Sequence, residues 1–138
     1  QVTLDKFAGK AWMPTFNLNG DRKGAEAFLS AAMPRRIVGK AICHTVEFDK
    51  ARFARFAPPW NRAAELFHEA AALYFETHDM KKFHDPTAAV CMMHPEVGLW
   101  ADGKPTRMEG GWTTRPGEDQ ILVDLDYEAM WGHLEAMT

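Results

Sequence analysis

Apolar side chains recur every three or four residues over much of the chain, which is the spacing of one face of a helix. Aspartate or asparagine precedes several of these segments and can cap a helix by accepting hydrogen bonds from its first backbone N–H groups. Residues 1–20 contain Gly9, Pro14 and Gly20 as breakers and are predicted to be irregular. Helices are predicted over about 22–32 after Asp21, from Asp49 to near Ala57, from Asn61 to about Thr77, from Asp85-Pro86 to about Met93, and after Asp126.

The helix that begins at Asp85-Pro86 has a local start signal. Asp85 supplies a capping side chain, and Pro86 lacks only a backbone N–H that would have no partner in the first turn.

Two other helices carry recognisable apolar faces. The helix after Asp126 places Tyr127, Met130, Trp131, Leu134 and Met137 on one side. In the 61–77 helix, the three-four spacing predicts one buried stripe. Its members are Ala63, Leu66, Phe67, Ala70, Leu73, Tyr74 and Thr77.

Three segments are predicted to be strands. Residues 36–43 are apolar without clean alternation, which is typical of a strand that is covered on both faces. The glycine-rich tail contains two more candidates, at about 105–113 and 120–126. About five helices and three strands indicate an α/β fold, and the apolar strand at 36–43 needs more neighbours than this chain offers. The chain is therefore predicted to form part of a sheet whose other strands lie elsewhere.

Composition narrows the class of protein. The chain has 138 residues, 46% of them hydrophobic and 25% charged, which predicts a single globular region over 1–138. A net charge of -3 gives no basic excess for a phosphate backbone, so a nucleic-acid partner is not expected. No apolar run has membrane length and no leader opens the chain, so we expect a cytoplasmic protein with reduced Cys43 and Cys91 in its core. Because the chain begins with Gln1 rather than Met, we expect it to be trimmed or cut from a longer protein.

The sharpest candidate for chemistry is the pair His84-Asp85, which falls where a helix is predicted to begin. A carboxylate at this loop mouth can bind a cation or a water molecule, and a histidine beside it can transfer a proton near neutral pH. The alternative is structural: Asp85 caps the helix and His84 is an ordinary loop residue.

Two weaker candidates lie earlier in the chain. Asn17 and Asn19, next to Thr15, present amides that can read hydroxyl groups, although asparagines also cap helices and form turns. His44 ends the predicted strand at 36–43, and ligands of open α/β sheets gather beyond such strand ends. The alternative for His44 is a histidine with one structural hydrogen bond. The spacing of His78, His84 and His94 matches no established metal-ligand pattern.

Short motifs follow one another across nearly all of the chain. They are Phe16-Asn17, then Val38-Gly39 with His44, then His84-Asp85-Pro86 with Ala88-Ala89-Val90 and Pro95-Glu96, then Val123-Asp124-Leu125-Asp126-Tyr127-Glu128 with Trp131-Gly132. In this order they resemble the C-terminal half of inosine–uridine-type nucleoside hydrolases. The resemblance implies an open, mostly parallel sheet flanked by helices, completed by another chain or by an N-terminal half.

The resemblance also implies an activity, namely hydrolysis of the N-glycosidic bond of a nucleoside. In that family a calcium ion among several aspartates holds the ribose diol and activates a water molecule. By position, Asp85 resembles the C-terminal metal ligand, His84 the acid that protonates the departing base, and Asn17 a contact to a ribose hydroxyl. His44 and Thr15 are further candidates for substrate binding, and Thr15 stands where the family usually has glutamate.

The family's aspartate-rich cluster has no counterpart in this sequence. One interpretation is that the chain is the C-terminal part of a split or processed nucleoside hydrolase, completed by a second chain that carries the aspartates and assembled as an oligomer. The alternative is a non-catalytic relative, a binding or scaffold subunit that keeps the fold and has lost the ribose site.

Overall fold

The computed structural model describes residues 5–137, which divide into two compact units. The first unit contains residues up to Ile42 together with Leu99–Asp124, and the second contains Cys43–Gly98 and the residues from Leu125 onward. Two 3-10 turns lie at Asp5–Phe7 and Pro95–Val97. The helices are α1 (Phe16–Gly20), α2 (Arg22–Ser30), α3 (Lys40–Cys43), α4 (Lys50–Phe53), α5 (Arg62–Phe75), α6 (His84–Met93) and α7 (Tyr127–Met137). The strands are β1 (Arg36–Ile37), β2 (Glu47–Asp49), β3 (Met80–Lys82), β4 (Gly98–Arg107) and β5 (Trp112–Leu125).

The first unit is built on a three-stranded sheet in the order β1-β5-β4. Strand β1 runs parallel to β5, with Ile37 opposite Ile121. Trp112, at the start of β5, packs with Ala25 and Leu29 of α2 in a small buried cluster. The backbone of Trp112 also exchanges hydrogen bonds of 2.8 and 2.9 Å with Met13.

The second unit has an aromatic core around Phe48 of β2, which pairs antiparallel with β3. The Phe48 ring stacks on Phe83 at 4.3 Å and lies 5.2 Å from Phe75 of α5 and 5.9 Å from Trp131 of α7. Offset and edge-on aromatic pairs of this kind add attraction beyond their buried area. Met130 of α7 is fully buried, so β2, α5 and α7 meet in one hydrophobic core.

Three predicted helix caps are confirmed by hydrogen bonds. Asp21 Oδ1 accepts from Gly24 N at 2.9 Å, Asp49 Oδ1 from Arg52 N at 2.7 Å, and Asn61 Oδ1 from Ala64 N at 2.9 Å. The helices that follow end before the predicted limits, at Ser30, Phe53 and Phe75. Capping depends on neighbours three residues away, which explains why the starts are more predictable than the ends.

The predicted strand at 36–43 is wrong. Only Arg36–Ile37 pairs with β5, and Lys40–Cys43 turns into the short helix α3. The missing alternation of apolar residues suits one helical turn, in which Ile42 N bonds back to Gly39 O at 3.1 Å and the Ile42 side chain is buried. The prediction that residues 1–20 are irregular is wrong at Phe16–Gly20, which form α1; Gln1–Leu4 lie outside the described residues.

The tail forms longer strands than predicted. The candidate at 105–113 spans the end of β4, the connection at 108–111 and the start of β5, so it is not one strand. The candidate at 120–126 lies almost wholly within β5. Two glycines of this tail, Gly103 and Gly117, lie inside strands. A Cβ on Gly103 would meet the Ile121 side chain 2.9 Å away, so glycine here permits close approach of β4 and β5.

The buried stripe predicted for α5 is displaced by one residue. Ala64, Ala71 and Phe75 are buried, whereas Leu66 and Leu73 are 50% and 67% exposed. The Phe48 core contacts Phe75, and this contact turns the helix so that its buried face follows 64, 71 and 75. Within residues 5–137 the result is a mixed α/β protein, as predicted, in which β1 and β5 run parallel. None of the helices within residues 5–137 combines the length and the apolar character that a membrane crossing requires.

Candidate functional site

The start of α6 presents His84 and Asp85 to solvent. Phe83 is the N-cap residue and lies in the core, and the backbone N–H of Phe83 donates to Val46 O at 3.0 Å. Thr87 Oγ1 donates to the Phe83 carbonyl, which fixes the first turn from inside. Asp85 is therefore inside the first turn, so the prediction that its side chain caps the helix is wrong.

This position suits a carboxylate for another reason. The first turn of a helix carries unpaired N–H groups and the positive end of the helix dipole, both of which stabilise negative charge. Pro86 is the third helical residue, where the absent N–H costs no hydrogen bond. The sequence His84-Asp85-Pro86 thus starts a helix and leaves both ionisable side chains exposed.

His44 lies beside His84, although forty residues separate them. The two ring centroids are 4.8 Å apart with an interplanar angle of 33°. Cys43 Sγ donates to the carbonyl oxygen of His84 at 3.9 Å, which ties the segment before His44 to the start of α6. His44 follows α3 rather than the end of a strand, so the strand-end argument for it is wrong, but the residue does lie next to His84.

The buried thiol of Cys43, next to the His44–His84 pair, has low reactivity. Burial, together with the nearby Cys91 and Asp85, raises the pKa of Cys43 to about 11. Burial also raises the pKa of Cys91. Both cysteines are buried and neither forms a disulfide, as predicted. Since the thiolate is the nucleophile of cysteine chemistry, neither residue is suited to covalent catalysis at neutral pH.

His44, His84 and Asp85 together can move a proton. Histidine exchanges protons near neutral pH, and two imidazoles in contact offer both a donor and an acceptor. Exposure of His84 and Asp85 leaves room for a substrate to reach them. The arrangement fits general acid–base chemistry on a polar small molecule.

Thr15 and Asn17 belong to the first unit. Asn17 lies on α1 and is exposed. Thr15 precedes α1, and its Oγ1 is buried without a hydrogen-bond partner among the described residues. Asn19 has a structural role, in line with the alternative that these asparagines serve caps and turns. Its Oδ1 accepts hydrogen bonds from Thr15 N at 3.2 Å and from Trp112 Nε1 at 3.1 Å.

Another set of ligand side chains comes together in the second unit. His94, Glu96 and His133 each offer one ligand atom, and these atoms lie within 4.8 Å of one another. Asp85 belongs to no such set of three within residues 5–137. The only sequence signal for this group of three is the short spacing of His94 and Glu96. His133 lies near them only because α7 packs beside the end of α6.

The chain matches no protein-family model and no curated protein sequence. Its fold resembles part of a plant nucleoside hydrolase. The two structures share 17% sequence identity with a TM-score of 0.65 over 86% of this chain. The aligned region is 45% of the nucleoside hydrolase, so the present chain spans less than half of that protein. The likeness confirms the nucleoside-hydrolase-like fold.

Proposed function

We propose that this chain is part of an N-ribosyl hydrolase of the nucleoside-hydrolase type. The observation that carries the proposal is the contact between His44 and His84 beside Asp85, at an exposed helix start in a fold that resembles a nucleoside hydrolase. The substrate would be a nucleoside or a similar N-riboside, and the reaction would cleave the bond between the sugar and the base.

The residues of this chain would act on the leaving group and the sugar. In such a reaction, water bonds through its oxygen to the anomeric carbon and releases a proton to solvent while the carbon–nitrogen bond breaks, through a state with oxocarbenium character. His84 would donate a proton to the departing base nitrogen, and His44 would contact the substrate beside it. That Asn17 and Thr15, which lie in the first unit, bind hydroxyl groups of the sugar stays a prediction of the resemblance alone.

Calcium does not fit this chain by itself. Calcium takes six to eight oxygen ligands, and Asp85 is a single exposed carboxylate. Residues 5–137 bring no second and third ligand side chain to it. We therefore propose that Asp85 is one ligand of a calcium site whose other aspartates come from a second chain or from an N-terminal half.

Two features of the described chain support such completion. The three-stranded sheet has β1 and β4 at its edges, and unpaired strand edges are normally covered or paired. Several large apolar side chains are also exposed, among them Phe16 at 93% and Met92 at 72%. The match covers 45% of the plant nucleoside hydrolase, so the rest of a protein of that kind could cover such surfaces. Oligomeric assembly is part of the same proposal.

Release of free base and ribose is the direct test, made on this chain in complex with whatever polypeptide co-purifies with it. Inosine, uridine and an activated aryl riboside are compared. His84→Gln is expected to slow inosine and uridine by roughly a hundredfold or more and the aryl riboside much less, because a good leaving group needs no proton. Asp85→Asn is expected to abolish all three.

His78→Gln is the matched control, since His78 is an exposed histidine of the same unit that stacks on Tyr74 at 4.2 Å. Equal losses on all substrates with His84→Gln would reject its role as the acid. The alternative function, a non-catalytic binding or scaffold subunit, is favoured by the incomplete set of calcium ligands. It would be established if the complex released no base and if no nucleoside protected it against heat.

A further inference from the structure

Three elements of the second unit converge on one group of nitrogen and oxygen donors. His94 is the C-cap residue of α6, Glu96 lies in the 3-10 turn Pro95–Val97, and His133 lies on α7. The His94 and His133 rings stack with centroids 3.7 Å apart and an interplanar angle of 13°. His94 Nδ1 lies 3.2 Å from Glu96 Oε1.

We propose that His94, Glu96 and His133 form a binding site for a divalent transition metal of the zinc class. Three atoms that lie within 4.8 Å of one another share a point no more than ~2.8 Å from each. Zinc bonds to nitrogen and carboxylate oxygen are about 2.0–2.2 Å long. Each ligand atom therefore has to move by less than ~1 Å to reach a common ion.

The side chains have the freedom for this movement. The side chains of His94 and Glu96 are 34% and 65% exposed. In the stacked arrangement, the nitrogen lone pairs of His94 and His133 do not point toward a common ion. Rotation of one ring about χ2 would direct both lone pairs to it. Such torsions between sp3 and sp2 atoms are broad, so the rotation is inexpensive.

The backbone beneath the site is held firmly. His94 N donates to Val90 O at 2.7 Å, and Val97 N donates to His94 O at 3.2 Å. Val90 and Val97 are buried, as is Leu134, which follows His133 on α7. Because the backbone is already fixed, only the side chains lose order on binding, which limits the entropic cost.

The donor chemistry selects the kind of metal. Two imidazoles and one carboxylate suit zinc, copper or nickel, whereas calcium and magnesium prefer oxygen alone. Three protein ligands leave a fourth position open for water or another small ligand, as in catalytic rather than structural zinc sites.

The test is a titration of chelator-stripped protein with Zn²⁺, followed by calorimetry and by thermal unfolding. We expect one ion per chain and a higher melting temperature. His133→Ala and Glu96→Gln should each weaken binding by roughly tenfold or more and reduce the thermal shift accordingly. His78→Ala and Asp85→Asn should bind as the unaltered chain does. Asp85→Asn also separates this site from the proposed ribohydrolase site.

Cobalt absorption provides a second readout that does not depend on stability. Co²⁺ should give visible bands in the unaltered chain that His133→Ala weakens or shifts and His78→Ala leaves unchanged. Binding weaker than about 1 mM, or equal binding by His133→Ala and the unaltered chain, would overturn the proposal. If His133→Ala does not fold, His133→Gln replaces it with the same expectations.

Discussion

At the scale of single residues, the first unit depends on one buried ion pair. Arg35 Nε donates to Asp119 Oδ1 at 2.7 Å, and the two side chains are 10% and 3% exposed. The guanidinium of Arg35 also donates to the carbonyl oxygens of Phe28 and Ala31, where α2 ends. One arginine thus joins the last turn of α2 to β5. Removing one partner of such a pair is more harmful than removing both, because it leaves a buried charge without compensation.

We therefore predict that Arg35→Ala lowers the free energy of unfolding by about 3–5 kcal/mol, as urea denaturation would measure. The double variant Arg35→Met with Asp119→Leu should recover most of this loss. Arg107→Ala is the control, since the Arg107–Glu26 pair is exposed on both sides and should contribute less than about 1 kcal/mol. A loss below about 1 kcal/mol for Arg35→Ala would show that the pair does not stabilise the unit.

Cys43 gives a prediction about alkaline pH. Its pKa rises from an ordinary value near 9.0 to about 11 in the folded chain, because burial disfavours the thiolate. Between these values the unfolded chain has lost a proton that the folded chain keeps, so stability falls as pH rises from about 9 to 11. The slope from this group is at most about 1.4 kcal/mol per pH unit. Below pH 9 the group contributes no pH dependence.

The measurement is the urea midpoint at several pH values from 8 to about 11 for the unaltered chain and for Cys43→Ala. The variant should lose part of the alkaline slope, whatever its stability at pH 8. Parallel curves for the two proteins would contradict the assignment of this slope to Cys43.

At the scale of elements, three helix starts follow from local signals, whereas the short strands depend on non-local pairing. The caps of Asp21, Asp49 and Asn61 depend on N–H groups three residues away, and all three formed as predicted. Strands β2 and β3 were missed because three-residue strands have no pattern of their own and exist only through their mutual pairing. The strand predicted at 36–43 failed for the same reason, since only its first two residues find a partner in β5.

Helix α5 shows how tertiary contacts decide which face is buried. Its sequence offers two overlapping apolar stripes that differ by one residue, and spacing alone does not choose between them. The contacts of Phe75 with Phe48 select the stripe that contains Ala71. Ala70, which the spacing placed inside, is exposed.

Neighbouring alanines make this a clean test. Ala71→Gln should lower the free energy of unfolding by about 1–3 kcal/mol, because the longer polar side chain does not fit a packed surface. Ala70→Gln should change it by less than about 0.5 kcal/mol, as surface substitutions usually do. The two variants have the same chemistry and differ only in the face of α5. If urea denaturation showed a larger loss of stability for Ala70→Gln than for Ala71→Gln, the buried face would be the one that the spacing predicts.

At the scale of the whole molecule, the candidate site could be predicted only in part. His84 and Asp85 were identified from one short motif, and both are exposed at the start of α6. The contact of His84 with His44 was not predictable, because it depends on how Cys43 and His44 pack against the start of α6 in the second unit. The grouping of His94 with His133 has the same origin, since α6 and α7 place these residues together. Residue type and spacing indicate candidate site residues, whereas tertiary packing determines which of them lie in contact.

The exposed apolar residues give the last prediction. Phe16, Trp60 and Leu99 are 93%, 70% and 63% exposed, and β4 carries Leu99 at a sheet edge. Exposed apolar side chains and open sheet edges promote association, so the chain on its own should self-associate and bind a hydrophobic dye. If a nucleoside-hydrolase-like half covers these surfaces, adding a polypeptide that bears the missing aspartates should replace self-association with a complex of defined stoichiometry.

Sedimentation velocity over roughly a hundredfold range of concentration would measure both states. The variant Phe16→Ser with Leu99→Thr should associate less than the unaltered chain, whereas Glu69→Gln, at a charged exposed position of α5, should behave as the unaltered chain does. A chain that stays monomeric over this range and binds no dye would not need a second half to shield its surface. The proposal of a completed hydrolase would then rest on His44, His84 and Asp85 alone, and a single exposed carboxylate is too little to hold calcium.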